Sequence, residues 1–79
     1  MSNYVTINFS QYEQFMDEFR AILLQKKRHD EFKGMLKSEI FCYIMERDFD
    51  MTLYVIPGEP FWVAHVHEKN AIDFLLKYS

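Results

Sequence analysis

The chain has 79 residues, 49% of them hydrophobic and 18% aromatic, with a formal net charge of −3 and a pI of about 5.5. That length suffices for one domain, 1–79, and a composition this apolar excludes disorder. The acidic balance gives no electrostatic ground for binding nucleic acid or a membrane surface, and a lone cysteine, Cys42, excludes an internal disulfide framework.

The N-terminus, MSNYVTINFSQYEQF, lacks the basic start and unbroken apolar stretch of a secretory signal. The longest wholly apolar run, Ile40–Met45, falls far short of the ~18 residues of a membrane span. The expectation is therefore a soluble, cytoplasmic protein. Two glycines and two prolines leave little room for a glycine-cradled phosphate site, which needs several small residues in a row.

In chain order, YVTINF alternates, with Val5, Ile7 and Phe9 on one side and Tyr4, Thr6 and Asn8 on the other, which predicts a strand. Ser10 and Glu13 have the spacing of a capping box. From there Tyr12, Phe15, Met16, Phe19, Ile22 and Leu23 form one apolar stripe opposite Glu13, Asp17 and Arg20. This predicts a helix ending near Arg28. Phe32, Met35 and Leu36 suit a short helical turn, shortened by Gly34. EIFCYIMER, rich in β-branched and aromatic types, reads as a strand. RDFDM reads as a turn and MTLYVI as the next strand of a hairpin. PGEP interrupts, because Pro57 and Pro60 donate no ladder hydrogen bond, and FWVAHVH is a further strand. Asn70 and Asp73 can start a last helix from Ala71 to about Tyr78. The predicted order is β-α-(short α)-β-β-β-α: an α+β fold with a mainly antiparallel sheet of about four strands and helices packed on one face.

These strands carry more apolar surface than one covered face requires. If Ile40, Cys42 and Ile44 face the helices, Phe41, Tyr43 and Met45 face away. In the last helix Ala71, Phe74, Leu75 and Tyr78 form one stripe, and Ile72 and Leu76 a second. An exposed patch of roughly 600 Å2 would result, more than soluble monomers usually leave bare. Tyr43, Met45, Tyr54, Trp62, Ile72 and Leu76 are accordingly the expected interface residues, and self-association as a homodimer is the simplest use of them.

Chemistry is the weaker alternative. His65 and His67 share one side of a strand and could reach one metal, but the further ligands must come from Cys42, Glu68, His29 or ERDFD. The cupin pattern needs a nearby glutamate and glycines, where this chain has Ala71 and Ile72; the zinc deaminase pattern needs a downstream P-C-x-x-C, which is missing. Cys42 with His65 could pair as nucleophile and base, although Cys42 lies in an apolar run where cysteine packs as a small hydrophobe. Glu46, Asp48 and Asp50 suit a turn better than an EF-hand loop. Lys26, Lys27, Arg28, Lys33 and Lys37 make the one basic cluster, a possible phosphate contact but equally the finish of a helix.

No catalytic residue and no cofactor are expected. The reading is a non-enzymatic protein-binding module, an adaptor or inhibitor acting by stoichiometric docking. Its size would suit a phage- or plasmid-encoded blocker of a host protein. The alternatives are a metal-binding protein or small metal-dependent enzyme using His65 and His67, and a nucleic-acid binder using Lys26–Lys37.

Overall fold

The computed structural model describes residues 3–79, apart from the side chains of Lys26 and Lys27, so that part of the predicted basic cluster lies outside the described residues. Its elements are β1 (Tyr4–Asn8), α1 (Glu13–Leu23), α2 (Lys26–Phe32), α3 (Lys37–Asp48), β2 (Leu53–Val55), β3 (Val63–His67) and α4 (Glu68–Tyr78), with a 3-10 turn at Phe9–Gln11. The fold is α+β, with an antiparallel sheet of order β1-β3-β2. The strands number three among the described residues, where the sequence suggests about four.

The missing strand is a helix. Glu39–Arg47, expected to be extended, forms most of α3. Its run is apolar at nearly every position, so period alone does not distinguish strand from helix. Wound as a helix, it brings Phe41, Ile44 and Met45 to one buried side at spacings of three and four. Packing thus overrides the strand preference of the individual residues. The start is secured where the Leu36 N–H donates to Glu39 Oε1 at 3.1 Å.

Three other boundaries move for local reasons. Asn8, not Ser10, provides the first cap: its Oδ1 accepts from the Ser10 N–H at 3.1 Å and from the Ser10 hydroxyl at 2.6 Å, opening the 3-10 turn. The helix expected to reach Arg28 stops at Leu23, and KKRHDEF forms α2 separately after Gln25. The last helix starts at Glu68 rather than Ala71, because the His67 ring already caps it.

Two glycines with positive φ make the sharp reversals. At Ile56–Glu59, Pro57 precedes Gly58 at φ 86° and the Glu59 N–H donates to the Ile56 carbonyl at 3.1 Å, the pattern of a type II turn. This turn begins the β2–β3 connection. After α2, Lys33 at φ −61°, ψ 126° and Gly34 at φ 82° repeat the pattern, closed by the Met35 N–H to the Phe32 carbonyl at 3.1 Å.

Alternation sorts the sheet into two faces. Ile7, Leu53, Ala64 and Val66 point inward and are buried, with Ile7 opposite Ala64 and Leu53 opposite Val66. Buried residues of the helices join them in one core. Phe9, just past β1, has ring centroids of Phe15, Phe41 and Phe74 at 5.3, 5.6 and 5.0 Å, so one side chain ties together α1, α3 and α4. Such ring pairs each add about 0.5–1.5 kcal/mol beyond area burial.

Candidate protein-docking face

The other face of the sheet is made by the same alternation. Tyr4 and Thr6 of β1, Tyr54 of β2, and His65 and His67 of β3 point outward and are exposed. Tyr4 stands opposite His67 and Tyr54 opposite His65, on either side of the central strand. Strands two apart in a sheet are about 9.5 Å from one another. The two tyrosine rings nonetheless meet at 5.1 Å, edge to face, so both lean over β3. Tyr4 also meets the His67 ring edge-on at 5.9 Å. Hydrogen bonding to the Tyr4 phenol pushes the Tyr54 hydroxyl above its ordinary value. Tyr4 and Tyr54 remain 46% and 48% exposed despite this contact.

The histidines have local partners. His65 Nδ1 lies 2.9 Å from the Thr6 hydroxyl across the β1–β3 pair. His67 Nδ1 accepts from the Lys69 N–H at 3.3 Å, which satisfies a donor in the first turn of α4. An accepting Nδ1 carries no proton, so the ring proton sits on Nε2. HVHE thus ends a strand and starts a helix. Among the described residues, no group of three or more His, Cys, Asp or Glu is placed to hold a metal ion.

Nor do the other reactive candidates converge. Cys42 is half-buried on α3, on the helix side of the sheet from His65, and burial and the Glu46 carboxylate push its thiol up. Asp48 ends α3 paired to Arg28, and Asp50 takes the left-handed turn that follows, at φ 51°. Beside them an open cleft of about 280 Å3 separates this turn from Asn70, Asp73 and Lys77 of α4.

The residues expected to form one interface are dispersed, and one of them is excluded. Met45 is fully buried in the core, since its strand became a helix. Tyr43, on the same helix, is half-buried, and its hydroxyl accepts from Arg47 Nη1 at 2.7 Å. It belongs to a clasp between α2 and α3. Glu31 accepts from Arg47 at 2.7 and 2.8 Å and from Arg28 at 3.3 Å, while Arg28 also donates to Asp48 at 2.7 Å. Those hydrogen bonds hold the Glu31 carboxyl below its ordinary range, the Arg47 bond contributing most. Arg28 is buried, and its Nη2 has no partner among the described residues; its guanidinium lies 5.5 Å from the Phe32 ring centre and 6.0 Å from that of Tyr43. Trp62 precedes β3 and meets Phe61 edge-on at 4.9 Å. Ile72 and Leu76 lie one turn apart on α4, 51% and 80% exposed.

Tyr54 is therefore the one predicted residue on the bare sheet face. Its neighbour there, Tyr4, shares a side with Thr6 and Asn8 in the YVTINF alternation and is not among the expected interface residues. The signal was available: an aromatic at the first outward position of a strand has no polar reason to be there.

No family model, curated protein or solved structure matches this chain. Among the described residues, no helix is long and apolar enough to cross a membrane.

Proposed function

We propose that this chain is a non-enzymatic protein-binding module that docks stoichiometrically through the helix-free face of its sheet. The observation that carries the reading is the Tyr4–Tyr54 pair, held edge to face over β3 and left about half exposed among the described residues. Tyrosines of this kind are typical interface anchors: large, with few rotatable bonds, and wet at one end before docking. The outward positions Tyr4, Thr6, Tyr54, Val63, His65 and His67 include no Asp, Glu, Lys or Arg. The matching partner surface is therefore an uncharged protein surface, not a phosphate backbone. The cytoplasm is the proposed compartment, consistent with one unpaired cysteine.

The test is capture of the partner from the cells that produce the chain, then reconstitution from two purified proteins. A complex of fixed stoichiometry is expected, weakened about 30-fold by Tyr54→Ala, as a central anchor worth ~2 kcal/mol requires. Leu24→Ala, at an exposed residue after α1, is the control. Equal affinity for wild type, Tyr54→Ala and Tyr4→Ala would remove this face from the interface.

A further inference from the structure

β1 is an edge strand, since the sheet order leaves one of its sides unpaired. Its phase follows from the two bonds that bound its ladder. The Glu68 N–H donates to the Asn3 carbonyl at 2.7 Å, and the Phe9 N–H to the Trp62 carbonyl at 2.9 Å. Odd-numbered residues therefore form the hydrogen-bonded pairs with β3, including Val5 with Val66 and Ile7 with Ala64. The N–H and C=O of Tyr4 and Thr6, and the N–H of Asn8, point the other way, without a partner among the described residues. The Asn8 carbonyl opens the 3-10 turn.

Proteins usually blunt such an edge by shortness, charge, proline or a bulge. The opposite edge shows this: β2 has three residues and ends two before Pro57. β1 has none of these devices. Tyr-Val-Thr-Ile-Asn is uncharged, and its register runs unbroken from Tyr4–His67 to Asn8–Val63.

We infer that β1 pairs antiparallel with β1 of a second copy of this chain about a two-fold axis through Thr6, making one continuous six-stranded sheet. Among two-fold registers, only this one pairs all five residues of both strands. Thr6 faces Thr6 of the second copy and exchanges two backbone bonds with it, and each Asn8 N–H reaches a Tyr4 carbonyl. Val5, exposed at the strand's start, gains Ile7 of the second copy beside it. A slip that broke this phase by one residue would turn outward side chains inward. Facing threonines are a favourable cross-strand pair, and no like charges meet. Edge pairing leaves the aromatic face open and places both Tyr4–Tyr54 pairs on the same side of the enlarged sheet. A monomeric chain would still present that face, so failure of this inference and failure of face docking are separate results.

The experiment is the mass of the purified, untagged chain across a concentration series by sedimentation or light scattering. A concentration-dependent dimer is expected. Thr6→Lys, which opposes two ammonium groups at the axis, should weaken it by at least about tenfold with an unchanged circular dichroism spectrum. Because Thr6 also contacts His65, Thr6→Pro is the second variant; it removes a backbone donor that β3 does not use. On a Cys42→Ala background, Thr6→Cys should oxidise to a linked dimer, since facing positions ~5.5 Å apart lie within disulfide reach. Tyr4→Cys, which faces Asn8 of the second copy, should not. A monomer at every concentration, a dimer indifferent to both Thr6→Lys and Thr6→Pro, or cross-linking at Tyr4→Cys equal to that at Thr6→Cys would overturn the inference.

Discussion

The two faces of this sheet come from the same three strands but meet different surroundings. Inward, Ile7, Leu53, Ala64 and Val66 lie beneath a mesh of phenylalanines from α1, α3, α4 and the 3-10 turn. Outward, among the described residues, Tyr4 meets the rings of Tyr54 and His67, and both tyrosines stay about half exposed. Aromatic content does not separate the faces; the helices do, by covering one of them. The inward face should therefore govern stability and the outward face recognition.

The largest expected effect is on the covered side. Phe9→Ala removes a fully buried ring shared by three helices, and should cost about 3–5 kcal/mol in denaturant unfolding. If Tyr54→Ala cost as much, the two faces would not differ in kind.

Next comes the clasp that holds α2 against α3, and so helps keep the cover on the core. Arg28→Met should cost about 1–3 kcal/mol, since it deletes charge-assisted bonds to Asp48 and Glu31. A neutral or stabilising result would mean that burying a guanidinium with an idle Nη2 offsets its bonds.

His67 sits where the faces join, its ring on the outward side and its cap on α4. His67→Ala should lower stability by about 0.5–1 kcal/mol, and His67→Asn should recover most of that. Failure of Asn to restore it would mean that the Tyr4–His67 ring contact, not the cap, is the stabilising part.

A smaller, pH-dependent effect belongs to Glu31. Its carboxyl is held below its ordinary value in the fold, so the unfolded chain binds the proton more readily. Its stabilisation is complete above the ordinary carboxylate value and is lost as pH falls through the depressed folded value. Melting temperature should thus drop on acidification, less steeply in Glu31→Gln; parallel curves for the two proteins would exclude Glu31 as a source.

Modest beside Phe9→Ala should be the stability change in Tyr54→Ala, about 0.5–1.5 kcal/mol for the lost Tyr4 ring contact at this half-exposed site, alongside its loss of partner binding. That pairing of a small stability effect with a large binding effect is the clearest mark of a docking face.

Legibility in the sequence follows the periodicity of each segment. Val5, Ile7 and Phe9 alternate cleanly with Tyr4, Thr6 and Asn8, and β1 forms there. The stripe through Phe15 and Phe19 marks α1, and Pro57–Gly58 marks the turn that sends β2 back along β3. Ile40–Met45 has no period, being apolar throughout, and the strand expected there is α3. That one difference removes the fourth strand, buries Met45 and disperses the expected patch. The caps at Asn8 and His67 were also hidden, because a cap depends on where a side chain points and not only on its type.

By itself, then, the amino-acid order determined an α+β fold, the alternating faces of β1 and β3, and a chain rich enough in aromatic residues to build a core. Which face the helices cover, and that Tyr4 and Tyr54 meet over β3, only the tertiary structure decided. The reason is physical: period and turn chemistry act between neighbours along the chain, whereas burial depends on what packs against a side chain from elsewhere.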